Sequence, residues 1–335
     1  TQRFFAERRW LLSHSRNHVV FRVIMHLAII GDMHMQFDEE DVRFFNASDY
    51  DAILMVGDIA SKSPDSMFRL LPLLNQLTKP TYFIPGNHDT TGVRQLLGEL
   101  MHNETLINFG AASQETRMAR LRHELTGPAI CGYSTHDLGD LRLVCARPFS
   151  MGDANAAKTE KPLDLPVNFR PFLKKEYGIQ TLAESATKIK ALIDAVNPPY
   201  IIMAHHGPFG LGSKATDMFG ADFLPEETDF GDHDLSEAIA HAQNTGKPPL
   251  AVIAGHMHYP TKHGKKPKQW WLERDGILYV NAARWPRIFR EGRETYHHHI
   301  GLAFDGGSLA VKASYVGAAG IAEVTDKRAC FPENP

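Results

Sequence analysis

The sequence predicts a layered α/β fold whose strands end in loops built for metal binding. Three observations carry that reading. Short apolar runs with strand character alternate with segments of helical periodicity. Five of those runs end in loops that hold Asp, Asn or His. The C-terminal part then turns strand-rich, as a mixed sheet would require.

Taken in order, residues 27–30 form a strand that runs into Gly31-Asp32-Met33-His34, and residues 52–56 one that runs into Gly57-Asp58. Met67, Leu70, Leu71, Leu74 and Leu77 recur at helical spacing before Lys79-Pro80 stops the helix. Residues 81–84 lead into Gly86-Asn87-His88-Asp89. A central β region follows at 129–132 and 141–146. Residues 179–196 give the clearest helix, with Leu182, Ala186, Ile189, Leu192, Ile193 and Val196 on one face and Asn197-Pro198-Pro199 as its stop. Strands at 200–204 and 250–254 end in His205-His206-Gly207-Pro208 and Gly255-His256-Met257-His258. Two more follow at 277–281 and 300–304. Residues 154–178 and 208–234 are polar, contain Gly and Pro, and are too long for plain connections, so they read as insertions near the site.

Composition narrows the function classes. The 335 residues can bury a large core in one elaborated domain. Lys+Arg 36 against Asp+Glu 39 leaves a net charge of −3, which disfavours strong attraction to nucleic acid or an anionic membrane. Cys131, Cys145 and Cys330 are odd in number and widely spaced, so buried thiols in a reducing compartment are expected. No apolar run approaches the roughly 18 residues that span a bilayer.

Asp, Asn and His gathered in strand-end loops suit a two-metal hydrolase. Hydroxide attacks a phosphoester poorly because the anionic oxygens repel it. Two divalent cations about 3.5–4 Å apart neutralise those oxygens and lower the pKa of a bridging water toward 7. The donor types accept Mn²⁺, Fe²⁺, Zn²⁺ or Mg²⁺ without choosing among them. His256 and His258, two apart in an extended loop, point their rings the same way.

The ordered blocks Asp32-x-His34, Gly57-Asp58, Gly86-Asn87-His88-Asp89, His205 and Gly255-His256-x-His258 resemble the calcineurin-like metallophosphoesterases, over about two-thirds of the chain. The resemblance implies a four-layer αββα sandwich in which Asp32, His34 and His258 hold one metal. Asn87, His205 and His256 would hold the other, and Asp58 would bridge them. It implies that His88 protonates the leaving group, with Asp89 orienting its ring. The implied activity is hydrolysis of small phosphomonoesters or phosphodiesters. A non-catalytic scaffold of the same fold and a nuclease are the alternatives. The first conflicts with the full ligand set, the second with the charge.

Departures from the pattern prune subfamilies. Gly57-Asp58-Ile59-Ala60-Ser61-Lys62 and the terminal Asp89 differ from protein Ser/Thr phosphatases. Ser61 stands where purple acid phosphatases place an iron-binding tyrosine. Four stretches are similar to an uncharacterised cyanobacterial and plant branch, with Arg147-Pro148-Phe149-Ser150 and Asn281-Ala282-Ala283-Arg284-Trp285-Pro286-Arg287 among them. In that branch Asn often replaces His206, which favours His205 as the ligand. Arg147, Arg284 and His206 are then candidates for substrate contact.

Three further features stand outside the motifs. Residues 1–24 carry five arginines and one acid ahead of Met25, and read as an extension outside a catalytic domain at 25–320, with 321–335 as a tail. The expected compartment is the cytoplasm, or an organelle such as a plastid if that extension is a targeting remnant. His297-His298-His299 should alternate between the two faces of a strand. Lys262, Lys265, Lys266 and Lys268, with His263, read as a solvated loop.

Overall fold

A computed structural model describes residues 24–322 except 154–155, 225 and 263–265, together with a separate antiparallel pair, β1 (Leu12–Ser15) and β2 (His18–Phe21). Cys330, His263 and most of the proposed tail lie outside the described residues. The next strands are β3 (Met25–Ile30), β4 (Ala52–Met55), β5 (Thr81–Phe83), β6 (Ala129–Ile130), β7 (Ser134–Asp137), β8 (Arg142–Cys145), β9 (Tyr200–Met203) and β10 (Ala251–Ala254). The chain closes with β11 (Trp271–Arg274), β12 (Ile277–Asn281), β13 (Ile288–Glu291), β14 (Glu294–Phe304), β15 (Leu309–Gly317) and β16 (Gly320–Ala322).

These strands form two facing sheets. One runs β16-β15-β14-β3-β4-β5-β6, with β13 also paired to β14, and the other runs β11-β12-β10-β9-β8-β7. Strands β3 to β6 are parallel to one another, as are β8, β9, β10 and β12. Parallel neighbours need crossovers, and helices supply them except between β10 and β12, where the connection carries β11. These helices are α1 (Glu39–Ala47), α2 (Leu71–Leu74), α3 (Val93–Leu100), α4 (Glu104–Glu124), α5 (Arg170–Tyr177), α6 (Leu182–Ala195) and α7 (His233–Asn244).

The strand period of two sorts the core into layers. Leu27 and Ile29 of β3 join Leu143, Ile201 and Ile253 of the other sheet in a cluster that contains no helix residue. Ala28 and Ile30 face the other way, into a cluster holding Phe45, Leu121, Ile189 and Ile239 from the helices. Sheets therefore pack on each other and helices cover their outer faces, the expected αββα arrangement. Strands buried on both faces read as continuous apolar runs, which is why 27–30, 52–56 and 200–204 stand out in the sequence.

Local differences have local causes. A capping box between Thr181 and Glu184 starts α6 at Leu182, inside the expected 179–196. The helix expected over 67–77 is instead a 3₁₀ turn, Pro64–Arg69, followed by the short α2, because Pro72 suits a helix's first turn and not its interior. His297, His298 and His299 are all buried, with His297 on Asp38 and His299 on the Tyr50 hydroxyl. Lys268 is buried rather than solvated: its ammonium donates to the carbonyls of Ala215, Asp217 and Gly220. That contact ties down the inner part of the 208–234 insertion, where Met218 and Phe219 are also buried, while Phe223 and Leu224 at its tip stay exposed. Among the described residues, no helix is long and apolar enough to cross a membrane.

Candidate metal centre

The C-terminal ends of β3, β4 and β5 in one sheet meet those of β9 and β10 in the other, so all five loops converge. Asp32 and His258 approach to 3.2 Å between Oδ1 and Nε2, and the Nε2 atoms of His34 and His258 lie 3.0 Å apart. On the other side, Asn87 Oδ1 is 3.0 Å from His205 Nε2 and 2.9 Å from His256 Nδ1. Asp58 lies between the groups, with Oδ2 3.9 Å from His34 Nε2 and Oδ1 3.6 Å from His205 Nε2.

The hydrogen bonds assign the tautomers. Nδ1–H of His205 donates to the Val56 carbonyl at 2.6 Å, and Nδ1–H of His34 donates to the Ala60 carbonyl at 2.9 Å. Each ring therefore turns a lone pair on Nε2 toward the centre. At His205 that lone pair faces another acceptor, the Asn87 amide oxygen. Acceptors aimed at acceptors in a buried pocket are what a bound cation resolves, so the donor set fits two metal ions. Burial also drives the His256 pKa well below its ordinary value, with the neighbouring histidines adding to the effect, which keeps the ring neutral and able to ligate. Burial alone would raise Asp32, but the His258 hydrogen bond and the charges of His258, His205 and His34 outweigh it and bring its pKa to about 2.

Backbone strain marks the same residues. Asp32 (φ 46°), Asp58 (φ 52°) and His256 (φ 71°) all occupy the left-handed region. Close packing explains two of the glycines: a Cβ on Gly86 would stand 2.3 Å from Asp58 Oδ1, and one on Gly255 2.4 Å from Asp32 Oδ2.

A model of the family described as calcineurin-like phosphoesterase matches residues 25–260, well over half of the chain. The chain belongs to that family. No curated protein matches the sequence. Among solved structures, a Thermus thermophilus protein is similar at TM-score 0.45 and 12% identity, over 87% of this chain and 99% of that one. A dimetal phosphatase from Danio rerio gives TM-score 0.43 at 9% identity, over 86% and 98% of the two chains. A structure described as a novel archaeal phosphodiesterase gives TM-score 0.37 at 10% identity, over 86% and 99%.

The surroundings of this phosphoesterase's centre correct several expectations. Asp89 does not serve the His88 ring: its two oxygens accept the N–H groups of Ala60 and Gly86, so it braces two of the ligand loops. Burial, with the Asp58 charge beside it, raises its pKa to about 7. His88 is half-buried, its N–H donates to Asp58 Oδ1 at 2.8 Å, and its ring meets His34 edge-on at 5.2 Å.

The three substrate candidates are all buried. Arg147 is 1% exposed and enclosed by Asp153, Asp232 and Asp234. His206 packs between His256 and Phe219, and burial drops its pKa to about 3. Arg284 lies over the Phe289 ring at 4.0 Å and donates to the Pro286 carbonyl. Trp285, by contrast, is 44% exposed and stacks on His258 at 6.0 Å. The stretch 281–287 is the only sequence signal for it.

Proposed function

We propose that this phosphoesterase hydrolyses a small phosphoester at a dinuclear centre, with Asp32, His34 and His258 holding one ion. Asn87, His205 and His256 would hold the second, and Asp58, which lies between the two groups, would serve both. The observation that carries the reading is the opposition of two acceptors, His205 Nε2 and Asn87 Oδ1, with His256 beside them and Asp58 between the two groups. Two divalent ions, Mn, Fe, Zn or Mg, supply charge neutralisation of the phosphoryl oxygens and an acidified water.

The protein's own groups do the rest. Val56 and Ala60 fix the ligand tautomers, and Asp89 locks the loops after β4 and β5 together. His88, held at its backbone by Asp58 and half-open to solvent, delivers a proton to the departing alkoxide.

The test is a screen of metal-reconstituted protein over aryl monoesters and diesters, cyclic nucleotides and dinucleoside polyphosphates. Absence of turnover with every metal would refute hydrolysis. His88→Ala should retain its metal while slowing alkyl esters by about 10²-fold or more, and nitrophenyl esters far less, since nitrophenolate leaves without a proton. Equal slowing of both classes would remove His88 from this role.

A further inference from the structure

A second group of ligand-type side chains sits where the edges of the two sheets meet. Cys131 follows β6, the last strand of the larger sheet, and its N–H donates to Phe83 of β5 at 2.7 Å. His136 and Cys145 belong to β7 and β8 of the smaller sheet. Ser134 and His136 are two apart on β7 and share a face, and Ser134 is directly opposite Cys145 in the ladder. Cys131 Sγ is 3.3 Å from His136 Nε2, and Ser134 Oγ is 3.0 Å from the same nitrogen. The donor atoms of Cys131, His136 and Cys145 all lie within 4.8 Å of one another. Both thiols are free and buried, and His136 is half-buried under the Tyr82 ring at 5.0 Å.

We propose that Cys131, His136 and Cys145 form a third metal site, for a thiophilic divalent cation of the zinc type, with the Ser134 hydroxyl or a water as fourth ligand. With Zn–S about 2.3 Å and Zn–N about 2.0–2.1 Å, tetrahedral geometry sets the sulfur–nitrogen edge near 3.5 Å, close to the spacing present. Two sulfurs and one imidazole select zinc over magnesium or manganese, whereas the phosphoesterase centre offers only nitrogen and oxygen. Binding releases the two thiol protons to solvent and leaves His136 neutral. The site's work is structural. Cys131 comes from the larger sheet and the other two ligands from the smaller, so the ion ties together the edge strands β6 and β7. None of this depends on the hydrolytic reading.

Cobalt separates the two sites, because only this one has sulfur donors. Reduced full-length protein is titrated with Co²⁺ while near-ultraviolet sulfur-to-cobalt charge-transfer absorption is followed. The band should report one sulfur-ligated Co²⁺ per chain, beyond any Co²⁺ that the phosphoesterase centre takes without it, be displaced by Zn²⁺, persist in Cys330→Ser and fall to half or less in Cys131→Ser. His136→Ala should weaken Co²⁺ binding and shift the band, and it leaves the buried Cys145 untouched should Cys131→Ser fold poorly. Cobalt-saturated wild-type protein without the band, or a band undiminished in Cys131→Ser, would overturn the site. So would a Cys131–Cys145 disulfide in protein purified under reducing conditions.

Discussion

The metal centre and the cluster around Arg147 are both buried knots of polar groups beyond strand ends, yet they balance charge in opposite ways. At the centre, Asp32 and Asp58 face Asn87 and the imidazoles of His34, His205 and His258, with no arginine in the ion pairs that the described residues make there. At the second knot the chain supplies its own cation. Arg147 Nη2 lies 3.0 Å from Asp153 and 2.9 Å from Asp232, and its Nε lies 2.9 Å from Asp234. Burial raises the pKa of Asp153 and of Asp232 against the pull of Arg147. Whether a buried acidic group needs an external ion therefore depends on whether an arginine has already been built into it.

The largest expected effect breaks the first half of that contrast. Asp58→Asn removes one charge and one donor oxygen between the two ligand groups without changing side-chain size. Bound metal should fall below two per chain and turnover by at least about 100-fold, read by elemental analysis and steady-state rates. Two metals with near-normal turnover would show that Asp58 is not the bridge.

Arg147→Met tests the other half. Removing the guanidinium leaves three buried carboxylates without a counter-charge, at a cost of about 3–5 kcal/mol in denaturant unfolding. The sign with pH follows from the raised pKa values of Asp153 and Asp232. A carboxyl whose folded pKa exceeds its unfolded value stabilises most when protonated, so the variant's deficit should shrink in acid and grow as pH rises. Metal content of the folded fraction should be unchanged. A rise in KM with little loss of stability would instead return Arg147 to substrate binding.

Those two regions also mark what the sequence could tell. The candidate ligands are readable because each sits in a short motif directly after an apolar strand, where local pattern and local structure coincide. Arg147 looks the same, an arginine after a strand. What distinguishes it arrives from Asp232 and Asp234, the latter 87 residues away, and no local pattern reports that. Helix α4 is hidden for a related reason: its buried face holds Gly110, Ala111 and Gln114 beside Ile107, Met118 and Leu121, so apolar periodicity is weak. Lys268 looks like one of a solvated group, yet three carbonyls of the 208–234 insertion surround it.

The smallest effect sharpens the contrast beside the metal centre. Trp285 stacks on His258 with an interplanar angle of 20° and meets His34 edge-on at 6.5 Å, yet it remains 44% exposed. The indole packs on a candidate ligand and still keeps 44% of its surface open, whereas Arg147 and Arg284, from the same two sequence motifs, are enclosed. An aromatic leaving group can stack on that open surface, an interaction worth about 0.5–1.5 kcal/mol. Trp285→Ala should therefore raise KM for aryl phosphoesters by roughly 2- to 12-fold, the same energy expressed as a ratio, and leave kcat and KM for short alkyl esters nearly unchanged. Metal content separates the two roles. If KM rises equally for both ester classes and bound metal falls with it, the indole acts only by holding His258.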